Sequence, residues 1–184
     1  MDDLTKLAIK YGTDKWGKHT YTPYYFELLK ERRHVIKKVI EIGTAEGASL
    51  FMWRDFFPNA TIYGAEIDPA RVALMENQSR ITMIQCDQTS EKDLKRVVAH
   101  TGTDVDLIID DGSHVLEDQI FSCKTLLPMF QKHLIYIIED IQRWHTASKR
   151  LKEFDIEVPE LIRTRHKRRD NYLVIARHKP YEQS

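Results

Sequence analysis

The chain has 184 residues, 42% hydrophobic and 30% charged, a composition that fits one globular domain and excludes intrinsic disorder. Lys plus Arg and Asp plus Glu both total 28, so no bulk positive charge argues for a nucleic-acid partner. No apolar run approaches the ~20 residues of a membrane span, Met1-Asp-Asp lacks the start of a signal peptide, and two cysteines in no metal-like spacing leave a cytoplasmic enzyme as the expectation.

Taken in chain order, residues 1–34 read as a helical N-terminal segment ahead of an α/β core at 35–184, all within one domain. Val39-Ile-Glu-Ile42 is the first strand and stops at Gly43. A helix over about 47–57 follows. Thr61–Ile67 is the second strand, and Asp68-Pro69 supplies an N-cap and an N1 proline for a helix over 69–79. Ile81–Ile84 is the third, with Ser90 and Asp93 as a capping box for a helix at 90–100. Val105–Ile109, a helix at 114–130, and Leu134–Ile138 continue the alternation. Asn171–Ala176 reads as a closing strand, with Leu161–Thr164 as a weaker partner. Near-continuous apolar strands alternating with helices predict a doubly wound, mostly parallel, seven-stranded Rossmann-like sheet with an antiparallel C-terminal strand.

Ligands of such sheets bind at the carboxyl ends of the strands, so the polar residues there are the candidates. Glu41-Ile-Gly-Thr-Ala-Glu-Gly47 carries a glycine pair but neither the dinucleotide fingerprint nor a P-loop lysine. Glu66, about twenty residues on, stands where an acid accepts ribose hydroxyls, and Asp87 ends strand three where an adenine amino group would lie. With no pyrophosphate clamp, an adenosine without phosphates fits better than a dinucleotide. Strands four and five end in Asp110-Asp-Gly-Ser-His114 and Glu139-Asp140. Carboxylates crowded at neighbouring strand tips repel one another, and a hard divalent ion such as magnesium relieves that. His114 titrates in the range of a general base.

The runs Tyr11-Gly-Thr-Asp-Lys15, His19–Tyr24, Val39–Gly43, Ser49–Trp53, Ile108–His114 and Tyr136–Asp140 together resemble the magnesium-dependent sugar O-methyltransferases of natural-product pathways, over residues 5–142. The mycinamicin and rhamnosyl O-methyltransferases belong to that family. The resemblance implies S-adenosylmethionine and Mg2+ as cofactors, with Asp111, Glu139 and Asp140 as metal ligands and His114 as base. It implies a cofactor pocket lined by Glu41, Gly43, Thr44, Gly47, Glu66, Asp87, Gln88 and Asp110, with Tyr21 and Thr22 folding over it as part of a lid. The implied partner is a small glycosylated or polyhydroxylated acceptor. Neither a membrane nor a nucleic acid is expected, and a homo-oligomer is left open.

Residues 163–171 carry five Lys or Arg against one acid, readable as a solvated loop or as a patch for an anionic acceptor. A metal-free RNA methyltransferase and a non-catalytic S-adenosylmethionine-binding subunit are the rival functions.

Overall fold

Apolar runs broken by glycine, aspartate and proline become strands too short to do anything but cross a core. The computed structural model describes residues 1–161 and 172–180. Strands β1 (Lys38–Ile42), β2 (Thr61–Glu66), β3 (Ile81–Gln85), β4 (Leu107–Asp110) and β5 (Ile135–Ile138) pair in parallel. Strand β7 (Val174–Arg177) runs antiparallel to β5, and β6 (Asp155–Glu157) antiparallel to β7, giving the order β3-β2-β1-β4-β5-β7-β6. The chain travels outward from β1 to β3 and then returns to β4, so the switch point lies between β1 and β4.

Successive strand side chains face opposite ways, and the sheet is covered on both faces as a result. Helices α1 (Asp3–Tyr11), α2 (Thr22–Leu29) and α3 (Ala48–Phe56) pack on Val39, Ile62, Leu107, Ile109 and Ile137. Helices α5 (Glu91–Thr101), α6 (Leu116–Leu126) and α7 (Trp144–Arg150) cover Ile40, Ile108, Tyr136 and Ile138. Helix α4 (Pro69–Leu74) is capped by Asp68 Oδ1, which accepts from Ala70 N at 2.9 Å; Ser90 caps α5 in the same manner.

Three expectations need revision. Helix α4 stops at Leu74 rather than 79, because Asn77 and Arg80 take left-handed backbone (φ 65° and 60°) to turn into β3. The sheet ends in two antiparallel strands, and the partner of β7 is Asp155–Glu157: Leu161 lies in no strand, and 162–164 fall outside the described residues, as does the whole basic run 163–171. Much of the N-terminal segment, Tyr21 included, packs as core rather than as cover, since Leu4, Ala8, Tyr21, Tyr25 and Leu29 are fully buried. Trp53 is likewise packing, edge-on to Tyr25 at 5.2 Å.

Candidate active site

Register builds the site. Ile42 pairs with Asp110 and Asp110 with Ile138, so one residue later Gly43, Asp111 and Glu139 emerge side by side. Asp111 N donates to Ile42 O (2.9 Å) and Glu139 N to Asp110 O (3.0 Å), carrying the ladder one step past the strand ends. Gly43 has φ 77°, and a Cβ there would sit 2.3 Å from the Asp111 carbonyl oxygen, so only glycine lets these two turns meet.

A cavity of about 750 Å³ opens at these tips. Among the expected cofactor residues, Gly43, Thr44, Glu66, Asp87 and Gln88 line it, and so do Asp111 and His114. Glu66 is nearly fully buried: Oε2 accepts from Thr44 N (3.0 Å) and Ala45 N (3.1 Å), and Oε1 accepts from Asp68 N (3.1 Å). Backbone donors thus clamp this carboxylate at the wall. Asp87 commits Oδ1 to Thr89, accepting from its N and Oγ.

Other expected residues stand behind the wall. Asp110 is fully buried and accepts from the hydroxyls of Ser122 and Tyr136 (2.9 Å) and from Gln88 Nε2 (3.2 Å). Burial outweighs these donors and pushes its pKa up to about 6. Gln88 in turn accepts from Ser113 N at 2.6 Å, so Asp110 shapes the Gly112-Ser113 turn through Gln88 and through a bond from the Gly112 backbone, rather than by touching the cavity. Gly47 is the left-handed N-cap of α3, and the Met75 side chain fills the space beside it. Tyr21 and Thr22 do not lie over the cavity. Thr22 shares a hydrogen bond with Thr5 (2.7 Å), and Tyr21 donates to Asp140 Oδ1 (2.6 Å). The N-terminal residues that do reach the cavity are Gly12, Thr13 and Asp14.

The acid end holds a residue that the strand-tip argument passed over. Lys15, 1% exposed, places Nζ 2.7 Å from Asp111 Oδ2, 2.9 Å from Glu139 Oε2 and 3.1 Å from Glu41 Oε1. It arrives on the loop between α1 and α2, which Gly12 starts in left-handed backbone and the Trp16–Thr20 bridge closes. Burial by itself would lower the Lys15 pKa, yet Asp111, Glu139 and Glu41 hold it well above the usual lysine value. Glu41 therefore serves Lys15 and Ser49, whose hydroxyl donates to it at 2.7 Å, not the cavity. Glu139 also accepts from Tyr25 Oη at 2.5 Å, so both of its oxygens are engaged from the N-terminal segment. Burial drives the Glu139 pKa well up, whereas on Asp111 the opposing effects of Lys15 and His114 overcome burial and bring it down to about 2.

His114 bridges the remaining acids, with Nε2 3.1 Å from Asp111 Oδ1 and Nδ1 3.6 Å from Asp140 Oδ2. The hydrogen bond to Asp111 raises its pKa above the ordinary histidine value. One donor atom each from Asp111, His114 and Asp140 falls within 4.8 Å of the others, a cluster able to grip one cation. His114 (φ 56°) and Asp140 (φ 55°) both adopt left-handed backbone, a strain that non-glycine residues keep where the surrounding structure over-determines it. Beyond Asp140, Trp144 packs partly buried at the start of α7, 6.1 Å from the Tyr172 ring.

Residues 40–141 match the family model described as "Methyltransferase domain". The chain belongs to this methyltransferase family. Among curated proteins, this methyltransferase-family chain is 33% identical over 147 residues to the 8-demethyl-8-alpha-L-rhamnosyl tetracenomycin-C 2'-O-methyltransferase of Streptomyces olivaceus, covering 76% of the chain and 38% of that protein. It is 36% identical over 148 residues to the mycinamicin VI 2''-O-methyltransferase of Micromonospora griseorubida, covering 76% and 36%. The chain thus spans well under half the length of these relatives. Among solved structures, a mycinamycin-pathway methyltransferase in complex with Mg and S-adenosylhomocysteine superposes with TM-score 0.81 at 27% identity, over 100% of this chain and 56% of that one. No helix among the described residues is long and apolar enough to cross a membrane.

Proposed function

We propose that the chain transfers the methyl group of S-adenosylmethionine to a hydroxyl of a sugar or other polyhydroxylated small molecule, with Mg2+ held at the acid end. The observation that carries this reading is that Glu66 and Asp87 share one cavity wall with Asp111 and His114. A nucleoside-accepting half and an acid–base half therefore face the same space. The sugar O-methyltransferase names of the relatives and the Mg and S-adenosylhomocysteine of the solved neighbour support the same chemistry.

The residues fit both groups. Gly43 and Thr44 line the cavity wall beside Glu66, whose carboxylate stands there for the ribose hydroxyls. Asp111 and Asp140 offer hard oxygen donors within reach of one ion, whereas Glu139 stands behind them, outside that cluster, with its oxygens taken by Lys15 and Tyr25. When bound, S-adenosylmethionine supplies an electrophilic methyl carbon, and magnesium supplies positive charge that orients adjacent hydroxyls and acidifies one of them. His114 then has a defined task. Nε2, 3.1 Å from Asp111 Oδ1, would carry the proton and donate to that carboxylate, leaving Nδ1 to take the proton of the acceptor hydroxyl as its oxygen displaces the methyl group from the sulfonium sulfur. Asp111 keeps the ring oriented and offsets the charge it acquires. The walls hold nucleophile and methyl together, an arrangement worth ~7–11 kcal/mol when well aligned.

A second reading makes His114 the third metal ligand, because its donor atom belongs to the 4.8 Å cluster. Magnesium prefers oxygen and imidazole suits softer ions, which favours the base. His114→Ala separates the two. As base, its loss lowers kcat about 10²–10⁴-fold while Mg2+ affinity stays within threefold. A parallel fall in Mg2+ affinity assigns His114 to the ion, and unchanged turnover removes it from both roles.

A further inference from the structure

We propose that Lys15 is a positioning residue and the built-in counter-cation of the acid end, setting how strongly that end binds a divalent ion. The inference rests on the metal-assisted reading above and deepens it. Lys15 is fixed from three sides, by β1 through Glu41, by β4 through Asp111 and by β5 through Glu139. Glu41 and Glu139 are almost entirely buried, so water cannot screen their charges. Apart from the ammonium contact, the Glu41 oxygen facing Lys15 has no hydrogen-bond donor. Three inward carboxylates and one ammonium leave the end strongly acidic, but less so than its carboxylates alone would make it.

The ammonium has a geometric effect as well. It takes Oδ2 of Asp111, while Oδ1 of the same carboxylate turns to His114. The lysine thereby sorts the acids. Glu41 and Glu139 face the ammonium inside the protein, and the outward oxygen of Asp111 and the Asp140 carboxylate remain on the side of His114. The same residue pins the loop whose Thr13 and Asp14 line the cavity. A site arranged this way holds its divalent ion loosely and exchangeably, because a resident charge already offsets part of the attraction.

The test compares thermal unfolding and calorimetric Mg2+ titration of wild type, Lys15→Met, and Lys15→Met/Glu41→Gln, each in EDTA and in Mg2+. Lys15→Met keeps the aliphatic stem and removes the charge. Its Tm in EDTA falls, it binds Mg2+ at least tenfold more tightly than wild type, and its Mg2+-induced rise in Tm exceeds the wild-type rise by roughly 3–6 °C. The double variant, with one buried carboxylate neutralised, recovers Tm in EDTA and loses most of the extra metal response. A lysine acting by packing alone gives equal or weaker Mg2+ binding in Lys15→Met, and that result overturns the proposal. If Lys15→Met does not fold, the double variant decides: folding with near-wild-type Mg2+ affinity supports the charge role, and failure to fold overturns it. A wild type that binds neither Mg2+ nor S-adenosylhomocysteine instead contradicts the proposed function itself.

Discussion

The two halves of the cavity are assembled over different sequence distances. The half proposed for the nucleoside is built over shorter distances: Glu66 is held by the backbone of Thr44, Ala45 and Asp68, at separations of 22, 21 and 2 residues. The acid half is long-range and made of side chains, with Lys15 reaching Asp111 and Glu139 across 96 and 124 residues and Tyr21 reaching Asp140 across 119. Backbone clamps survive most substitutions, whereas a web of buried charged side chains fails when one partner leaves. The first half is therefore expected to be robust, and the second to depend on how well the N-terminal segment is seated.

Glu66→Ala should break the comparison from the nucleoside side. If its carboxylate accepts the ribose hydroxyls as proposed, the loss costs about 1.5–3 kcal/mol, or a ten- to hundredfold loss of S-adenosylhomocysteine affinity by calorimetry. Mg2+ binding should stay unchanged; a matching loss of metal affinity would mean that the halves are one unit.

Tyr25→Phe probes the acid side from behind. It strips Glu139 Oε1 of its hydroxyl donor and leaves a buried acceptor unsatisfied, for an expected loss of about 1–3 kcal/mol in denaturant unfolding. Cofactor affinity should hold within twofold.

The smallest effect sharpens the role of the N-terminal segment. Asp55 on α3 accepts from Lys10 (3.0 Å) and from the Tyr11 hydroxyl at the end of α1. Partial burial opposes its charge, but Tyr11, Lys10 and Arg54 outweigh this and hold its pKa at about 2, below the usual 3.8. A carboxylate depressed by folding adds stability above pH 3.8 and loses it as pH falls towards 2. With the side chain 24% exposed, screening reduces the contribution to about 1 kcal/mol. Asp55→Asn should remove that contribution at pH 7 and flatten the stability curve between pH 4 and 2. An acid limb identical to wild type would show that α1 is seated by its apolar face alone.

The sequence distance that separates the halves also explains what could be read in advance. The mostly parallel sheet follows from apolar runs alternating with helices, and Glu66, Asp87, Asp111 and His114 follow from standing at or just past strand ends. Their places at the cavity are set by local turns and parallel register. Lys15 belongs to a motif quoted from the sequence, yet no local pattern marks it as the cation chosen from 28 Lys and Arg. Its partner set exists only once α1 and α2 have packed. The sequence signal that could have pointed there is Glu41, an acid in an otherwise apolar strand that demands a buried cation, though not a particular one. Tyr21 failed for the complementary reason. Its helical, aromatic neighbourhood is equally compatible with a cover over the cavity and with core, and Asp140 decides for core.

The most direct test of a cavity with separable cofactor and acid halves is calorimetric titration of S-adenosylhomocysteine and of Mg2+ into wild type and Asp111→Asn. The account predicts S-adenosylhomocysteine affinities within threefold of each other for the two proteins in EDTA, and Mg2+ binding to wild type alone. Absence of S-adenosylhomocysteine binding to wild type, or equal Mg2+ binding by both proteins, would contradict it.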